Sequence, residues 1–177
     1  LGVGLGWMKD EFELLGQNFH DRGKRADEMI EVLRTLFQGG MVEFHGKFYD
    51  FDRLTMNPAP EQPVPIFTGG FSEPALRRVA RLADGWISDV HSHDELAELV
   101  GRIATLRKEA GRDHLPFEIV GAATDVFDVD GYRRLEDHGV THMTTMPWLR
   151  SGLMDPGLDA KRDSLRHFAD EFIAKLA

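Results

Sequence analysis

A glycine pair at the end of an apolar strand, Gly69-Gly70, is the part of this sequence best suited to hold a ligand. Ile66 and Phe67 precede the pair, and Ser72 follows it at a position where it can cap a helix. Glycine readily adopts the backbone angles of such a turn and lets a ligand approach closely. The free N–H groups at the start of the helix point at the turn and favour an anion such as a phosphate. A tight strand-to-helix turn without a ligand has the same pattern, so both interpretations stay open.

Two histidines form a second candidate site. His91 and His93 flank Ser92 at the end of a predicted strand, and imidazole is suited to proton transfer near neutral pH. A metal site would need a third ligand, for which Asp89 and Asp94 are the nearest candidates. We favour a solvated loop before a helix and predict no metal site.

Composition limits the kinds of partner. The chain has 177 residues and a net charge of −9, which argues against nucleic acid or an anionic membrane as the main partner. It contains no cysteine, which excludes disulfides, thiolate catalysis and cysteine-ligated zinc. There is also no apolar run long enough to cross a bilayer. We therefore predict a cytoplasmic protein that acts on a small molecule.

The elements that position these residues alternate between strand and helix. Apolar residues at helical spacing predict four main helices after the first strand, over residues 25–38, 73–83, 94–110 and 160–176, with a shorter one over 131–138. Strands are predicted over 1–6, 64–67, 86–90, 117–124 and 140–146. A β-hairpin over 41–56 and a proline-rich connector to residue 65 form an excursion over 39–65 within one domain spanning 1–177. Arg77 and Arg78, just after the glycine turn, are predicted to lie on the surface.

This alternation predicts a parallel α/β sheet with right-handed crossovers, either doubly wound or part of a (β/α)8 barrel. The chain opens at Leu1 on residues typical of the middle of a strand. We therefore expect it to be the C-terminal portion of a longer protein. A barrel typically needs about 250 residues, so roughly three further strand–helix units would complete one.

Several motifs in a fixed order carry a family resemblance. They are LGVGLGW, DEFELLG, ADEMIEVLRTLF, FHGKFYDF, PAPEQPVPIFTGG and ALRRVARLADGW. This set resembles the luciferase-like monooxygenase superfamily, and within it most of all the deazaflavin (coenzyme F-420) dependent oxidoreductases. The resemblance implies a (β/α)8 TIM barrel whose first three strands are missing from this chain, which would begin at the fourth strand.

The resemblance also implies where a cofactor would bind. Its phosphate would lie at the turn after the fifth barrel strand, and its ring near the segment after the fourth. The implied cofactor-binding residues are Gly4, Gly6, Trp7, Asp10, Thr68, Gly69, Gly70, Phe71, Ser72 and Glu73. Some deazaflavin sugar-phosphate dehydrogenases carry a catalytic glutamate where this chain has Trp7, so that chemistry is not expected here. No catalytic residue is assigned.

The expected function is therefore hydride transfer between a deazaflavin, F-420, and an organic substrate. An FMN-dependent monooxygenase on the same scaffold is the alternative within the family. A non-catalytic flavin-binding or dimerisation scaffold is the alternative from a different class. The family commonly forms homodimers, so a homodimer is a further expectation.

Overall fold

Strands and helices alternate along the chain in the order that the sequence predicts. The computed structural model describes residues 1–150 and 152–176. The strands are β1 (Gly2–Val3), β2 (Val42–His45), β3 (Asp50–Leu54), β4 (Phe67–Gly69), β5 (Gly85–His91), β6 (Glu118–Ala123) and β7 (His142–Met143). The α-helices are α1 (Lys9–Leu14), α2 (Arg22–Phe37), α3 (Glu73–Leu82), α4 (His93–Glu109), α5 (Val129–Asp137), α6 (Pro147–Arg150), α7 (Leu158–Phe168) and α8 (Ala174–Leu176). A 3-10 turn covers Phe19–Asp21, and a π-helix covers Ala169–Ile173.

The residues fall into two compact units. The first comprises Leu1–Ile87 and Ile103–Phe117, and the second comprises Ser88–Arg102 and Glu118–Ala177. β5 and α4 each contribute residues to both units. One domain over 1–177 stays a prediction.

Parallel strands form the sheet of the first unit. β4 lies between β1 and the start of β5 and pairs in parallel with both. The register places Val3 opposite Thr68, and Thr68 opposite Trp86. Parallel strands end at the same edge of a sheet, so the loop that begins at Gly4 and the turn at Gly69-Gly70 leave from adjacent strand ends.

Helices α2 and α3 cover this sheet with apolar side chains. Ile30 of α2, Val79 of α3 and Ile66 just before β4 are all fully buried. A charged contact joins the two helices, since Arg78 of α3 donates to the carboxylate of Asp27 on α2. Arg78 is only 7% exposed, so its predicted surface position is wrong. The paired carboxylate explains how a guanidinium is tolerated there.

The predicted hairpin is present as the antiparallel pair β2–β3. Glu28 on α2 holds its turn. The carboxylate accepts hydrogen bonds from the backbone N–H groups of Lys47 at 3.1 Å and of Phe48 and Tyr49, each at 2.7 Å. One side chain of α2 therefore fixes the hairpin turn within the first unit.

The second unit is built in the same way from the end of β5 with β6 and β7. The backbone N–H of Thr124 donates to the carbonyl of His91 at 2.9 Å, and β6 pairs with β7 in parallel. Leu96 of α4 and Leu135 of α5 are fully buried. The strand predicted over 140–146 is shorter than expected and covers only His142–Met143.

The C-terminal helix also differs from its prediction. It was expected to be continuous over 160–176, whereas α7 and α8 are separated by the π-helix Ala169–Ile173. Phe172 of that turn is buried and stacks on Phe168, with ring centroids 4.8 Å apart. Within residues 1–150 and 152–176, no helix combines the length and apolar character needed to span a membrane.

Candidate cofactor site

The turn after β4 has a backbone that only glycine accommodates. Gly70 has a φ of +97°, in the region that side chains rarely adopt. A Cβ on Gly70 would lie 2.9 Å from the Cβ of Ala75, and one on Gly69 would lie 3.3 Å from the carbonyl oxygen of Ile87. The turn thus favours glycine at position 70, which also packs closely against α3, while Gly69 packs tightly against β5.

Helix α3 begins directly beyond this turn. Ser72 occupies the N-cap position with an extended backbone, as predicted, but its side chain makes no capping hydrogen bond. Glu73 follows in the first turn, and its carboxylate pairs with Arg77 at 2.7 Å. This pairing offsets the negative charge that Glu73 brings to the helix N-terminus. Pro74 has no backbone N–H, and the N–H of Leu76 donates to the carbonyl of Ser72 at 2.9 Å. At the start of the ten-residue helix, the backbone N–H of Ala75 is therefore the donor that can face an anion.

Two buried polar side chains lie beneath the turn. Thr68 is fully buried, and its Oγ1 has no hydrogen-bond partner in the structure. Its neighbour in the register, Trp86, is also fully buried, and the indole Nε1–H donates to the carbonyl of Gly70 at 3.0 Å. Buried hydroxyls nearly always find a partner, so Thr68 is a group that a ligand or an ordered water would satisfy.

The loop after β1 carries the other predicted residues. At Gly4, a Cβ would meet no other heavy atom within 4 Å, whereas Gly6 has a φ of +79°. Arg22 fixes the loop by donating from Nε to the carbonyl of Gly6 at 3.2 Å. Beyond Gly6, the side chain of Trp7 is 81% exposed, and Asp10 is exposed in the first turn of α1. The loop therefore presents an aromatic face and a carboxylate to solvent.

A cavity of about 290 Å³ lies beside this loop. Its lining includes Gly4, Leu5 and the side chains of Arg22 and Arg25. Gly4 thus borders this open pocket and leaves from the strand end next to Gly69-Gly70. The structure brings these glycines to one edge of the sheet, and it leaves Phe71, 57% exposed, and Trp7 on the surface.

Local hydrogen bonds order the loop that carries the histidine pair. Ser92 and Glu95 form a capping box, in which Glu95 Oε2 accepts from the backbone N–H of Ser92 at 2.9 Å. In return, Ser92 Oγ accepts from the backbone N–H of Glu95 at 3.3 Å. The side chain of His93 is only 17% exposed and contacts Asp94 through Nδ1 at 3.1 Å, so this part of the loop is less solvated than predicted. Among residues 1–150 and 152–176, no three His, Cys, Asp or Glu side chains are grouped as metal ligands would be.

Sequence reasoning did not find the hydrogen bond between Trp86 and Gly70. The two residues are 16 positions apart, and their contact depends on the pairing of β4 with β5. A signal was present in the sequence, because a tryptophan at the start of a buried strand needs an acceptor for its N–H.

Comparison with known proteins shows which family this chain resembles. The family model for luciferase-like monooxygenases matches residues 1–153. An uncharacterised protein of Mycobacterium tuberculosis is 46% identical over 179 residues, which is 99% of this chain and 61% of that protein. The chain thus spans about three fifths of the length of this relative.

Two further relatives are named for different cofactors. An F420-dependent glucose-6-phosphate dehydrogenase of Nakamurella multipartita is 28% identical, over 88% of this chain and 48% of its own length. An FMNH2-dependent dimethylsulfone monooxygenase of Pseudomonas putida is 33% identical, over 64% of this chain and 32% of its own length.

The fold agrees with these matches. The coenzyme F420 dependent tetrahydromethanopterin reductase of Methanopyrus kandleri superimposes with a TM-score of 0.75 and 16% identity, over 99% of this chain and 74% of that structure. At this identity the likeness concerns the fold alone, which is the parallel α/β arrangement of the luciferase-like TIM-barrel type. With the match of the family model over residues 1–153, it follows that this chain belongs to the luciferase-like monooxygenase family.

Proposed function

We propose that this chain is part of an oxidoreductase that transfers a hydride between the deazaflavin F420 and an organic substrate. The observation that carries the proposal is the turn after β4, where a glycine-only backbone, a buried hydroxyl without a partner and a helix N-terminus come together. Such a site suits the phosphate of a cofactor. The 28% identical relative named as F420-dependent supports the choice of F420.

The residues of the turn fit a bound phosphate. Gly69 and Gly70 leave the backbone uncovered, and the backbone N–H of Ala75 at the start of α3 supplies a hydrogen-bond donor. Thr68 Oγ1 is a further donor, although it is buried and needs a ligand or a water to reach it. The residues that we propose to hold the phosphate are Thr68, Gly69, Gly70, Phe71, Ser72 and Glu73.

The loop after β1 would orient the ring of the cofactor. We propose that Gly4, Gly6, Trp7 and Asp10 lie near that ring, because their loop leaves the sheet beside the glycine turn. When bound, the deazaflavin supplies the hydride chemistry. The task of this chain is then to hold the phosphate, place the ring and keep the loop rigid through the bond from Arg22 to Gly6.

FMN-dependent oxygenation is the second candidate function. It is favoured by the 33% identical relative named as an FMNH2-dependent monooxygenase. FMN also carries a phosphate, so the same turn would hold it. The two candidates therefore differ in the cofactor that binds more tightly, and this difference can be measured directly.

The test is a fluorescence titration of the protein with F420, with FMN and with the phosphate-free forms of the same rings. The test variant is Ser72→Asp. Aspartate is a good N-cap residue, so the helix should tolerate it, while its charge should repel a phosphate at the helix N-terminus. The matched control is Ser72→Asn, which has nearly the same shape and no charge.

We expect one phosphorylated cofactor to bind, Ser72→Asp to weaken it about tenfold or more, and Ser72→Asn to bind it nearly as the parent does. The binding of the phosphate-free form should be the same in all three proteins. Preference for FMN would select the monooxygenase. No binding of either cofactor would reject both enzymes in favour of a non-catalytic scaffold.

A further inference from the structure

We propose that Trp86 is a positioning residue for the phosphate turn, acting through the carbonyl of Gly70 rather than by touching a ligand. This inference rests on the proposed function of the turn. Its structural basis is the 3.0 Å hydrogen bond from the indole Nε1–H of Trp86 to the Gly70 oxygen.

Gly70 needs an external restraint. Glycine has access to more backbone conformations than any other residue, and at Gly70 the chain adopts a φ of +97°. The peptide unit between Gly70 and Phe71 is planar, with its C=O and N–H pointing in opposite directions. A donor that fixes the carbonyl therefore also fixes the direction of the whole peptide unit at the ligand-facing turn.

Trp86 is well placed to supply this restraint. It is fully buried, lies on β5 and is paired in register with Thr68, two residues before Gly70. An indole has a single hydrogen-bond donor and no acceptor, so a buried indole N–H needs one acceptor. The carbonyl of Gly70 provides it. The bond thus ties Gly70 to the buried interior of the first unit.

A purely structural tryptophan would give a different result from a positioning one. Loss of packing would weaken every ligand of the site to the same degree. Loss of the bond to Gly70 would misplace the phosphate-binding turn and leave the ring-binding loop after β1 intact. The decisive quantity is therefore the ratio of dissociation constants for a phosphorylated cofactor and its phosphate-free form.

The experiment compares Trp86→Phe with a control in the same unit, Ile30→Ala, which removes buried packing on α2 and leaves the bond in place. A third protein carries β-(3-benzothienyl)alanine at position 86, which keeps the shape of tryptophan but lacks the N–H. It serves as the test where the phenylalanine variant fails to fold. Each protein is melted thermally to measure its stability. Each is also titrated with the cofactor that the parent binds, FMN or F420, and with the phosphate-free form of that cofactor.

We expect both variants at position 86 to weaken the phosphorylated cofactor about tenfold while changing the phosphate-free form less than twofold. Ile30→Ala should melt at a lower temperature than the parent but leave the ratio of the two dissociation constants unchanged. The inference would be overturned if the variants at position 86 bound both ligands equally more weakly, or bound both as the parent does. The proposed phosphate site would still stand in that case if Ser72→Asp weakens only the phosphorylated cofactor. If the parent protein shows no preference for the phosphorylated form, both proposals fall.

Discussion

Ile66 and Asp84 exchange two hydrogen bonds at the start of β4. The backbone N–H of Asp84 donates to the carbonyl of Ile66 at 2.8 Å, and the backbone N–H of Ile66 donates to Asp84 Oδ2 at 2.9 Å. Arg34 of α2 donates to the same carboxylate oxygen at 2.9 Å. The strand that leads into the glycine turn is thus anchored at its opposite end by a carboxylate shared with a neighbouring helix.

Replacing Asp84 should destabilise the protein. In Asp84→Ala the N–H of the fully buried Ile66 loses its acceptor, which should lower the free energy of unfolding by about 1–3 kcal/mol. Asp84→Asn keeps an acceptor oxygen and should lose less. Urea denaturation followed by tryptophan fluorescence measures both. Equal losses in the two variants would show that the hydrogen bond to Ile66 is not the cause.

The hairpin turn should loosen in acid through Glu28. Burial raises the pKa of Glu28, but the backbone N–H groups of Tyr49, Phe48 and Lys47 outweigh it, and the pKa is lowered from its usual value of 4.5. A lowered pKa means that this carboxylate stabilises the fold fully above about pH 4.5 and loses its effect as the pH falls through the lower, folded value.

Hydrogen exchange at the amides of residues 47–49, corrected for the intrinsic rate at each pH, is the measurement for Glu28. Protection should fall below pH 4.5 in the parent and be low at every pH in Glu28→Gln. The matched control is Glu31→Gln, an exposed position on the same helix, which should follow the parent. If protection of these amides in the parent did not change with pH, Glu28 would not be the group that loosens the turn in acid.

His45 should show the opposite pH dependence. The hydrogen bond to Asp50, 2.7 Å from His45 Nδ1, raises the pKa of His45 above its usual 6.5. The stabilisation that this pair gives to the hairpin is therefore fully present below about pH 6.5 and is lost as the pH rises through the folded pKa.

An NMR titration of the His45 ring protons gives the test. The pKa should lie above 6.5 in the parent and move back toward that value in Asp50→Asn, which removes the charge of the partner. The control is Asp52→Asn, whose carboxylate acts only through a smaller charge effect. A shift as large in Asp52→Asn as in Asp50→Asn would contradict the hydrogen bond as the main cause.

Removing the capping serine should weaken the start of α4. Ser92→Ala removes the hydroxyl that accepts from the N–H of Glu95 and should cost about 1 kcal/mol in the free energy of unfolding. The pKa of Glu95 is lowered by its bonds to the backbone and side chain of Ser92, so it should rise in this variant. Ser92→Thr, which retains a hydroxyl, is the control. Identical stability of the alanine and threonine variants would count against the cap.

Local patterns in the sequence were enough to predict much of this fold. The capping box set the start of α4 to within one residue, because its partners are only three positions apart. The apolar spacing of Leu76 and Val79 likewise predicted α3, whose buried face follows that stripe. The motif series identified the family correctly. The cofactor-binding residues drawn from it stay predictions.

Features that depend on distant contacts were not predictable in this way. The burial of Arg78 depends on Asp27, which lies 51 positions away. The π-helix at Ala169–Ile173 leaves no mark on an apolar stripe that reads as one continuous helix. The shortness of β7 is a similar case, since the sequence pattern cannot show how many residues find a partner on β6.

The space around Gly4 is open. Leaving aside its two chain neighbours, no heavy atom of the described residues lies within 4 Å of where its Cβ would be, and its φ is outside the left-handed region. The protein itself therefore tolerates a methyl group at this position, in contrast to Gly70. Gly4→Ala therefore tests the proposed ring site, because a loss of cofactor affinity in this variant would come from a clash with the ligand and not from a disturbed loop. Larger side chains at position 4 would then show how much space the proposed site leaves beside the loop.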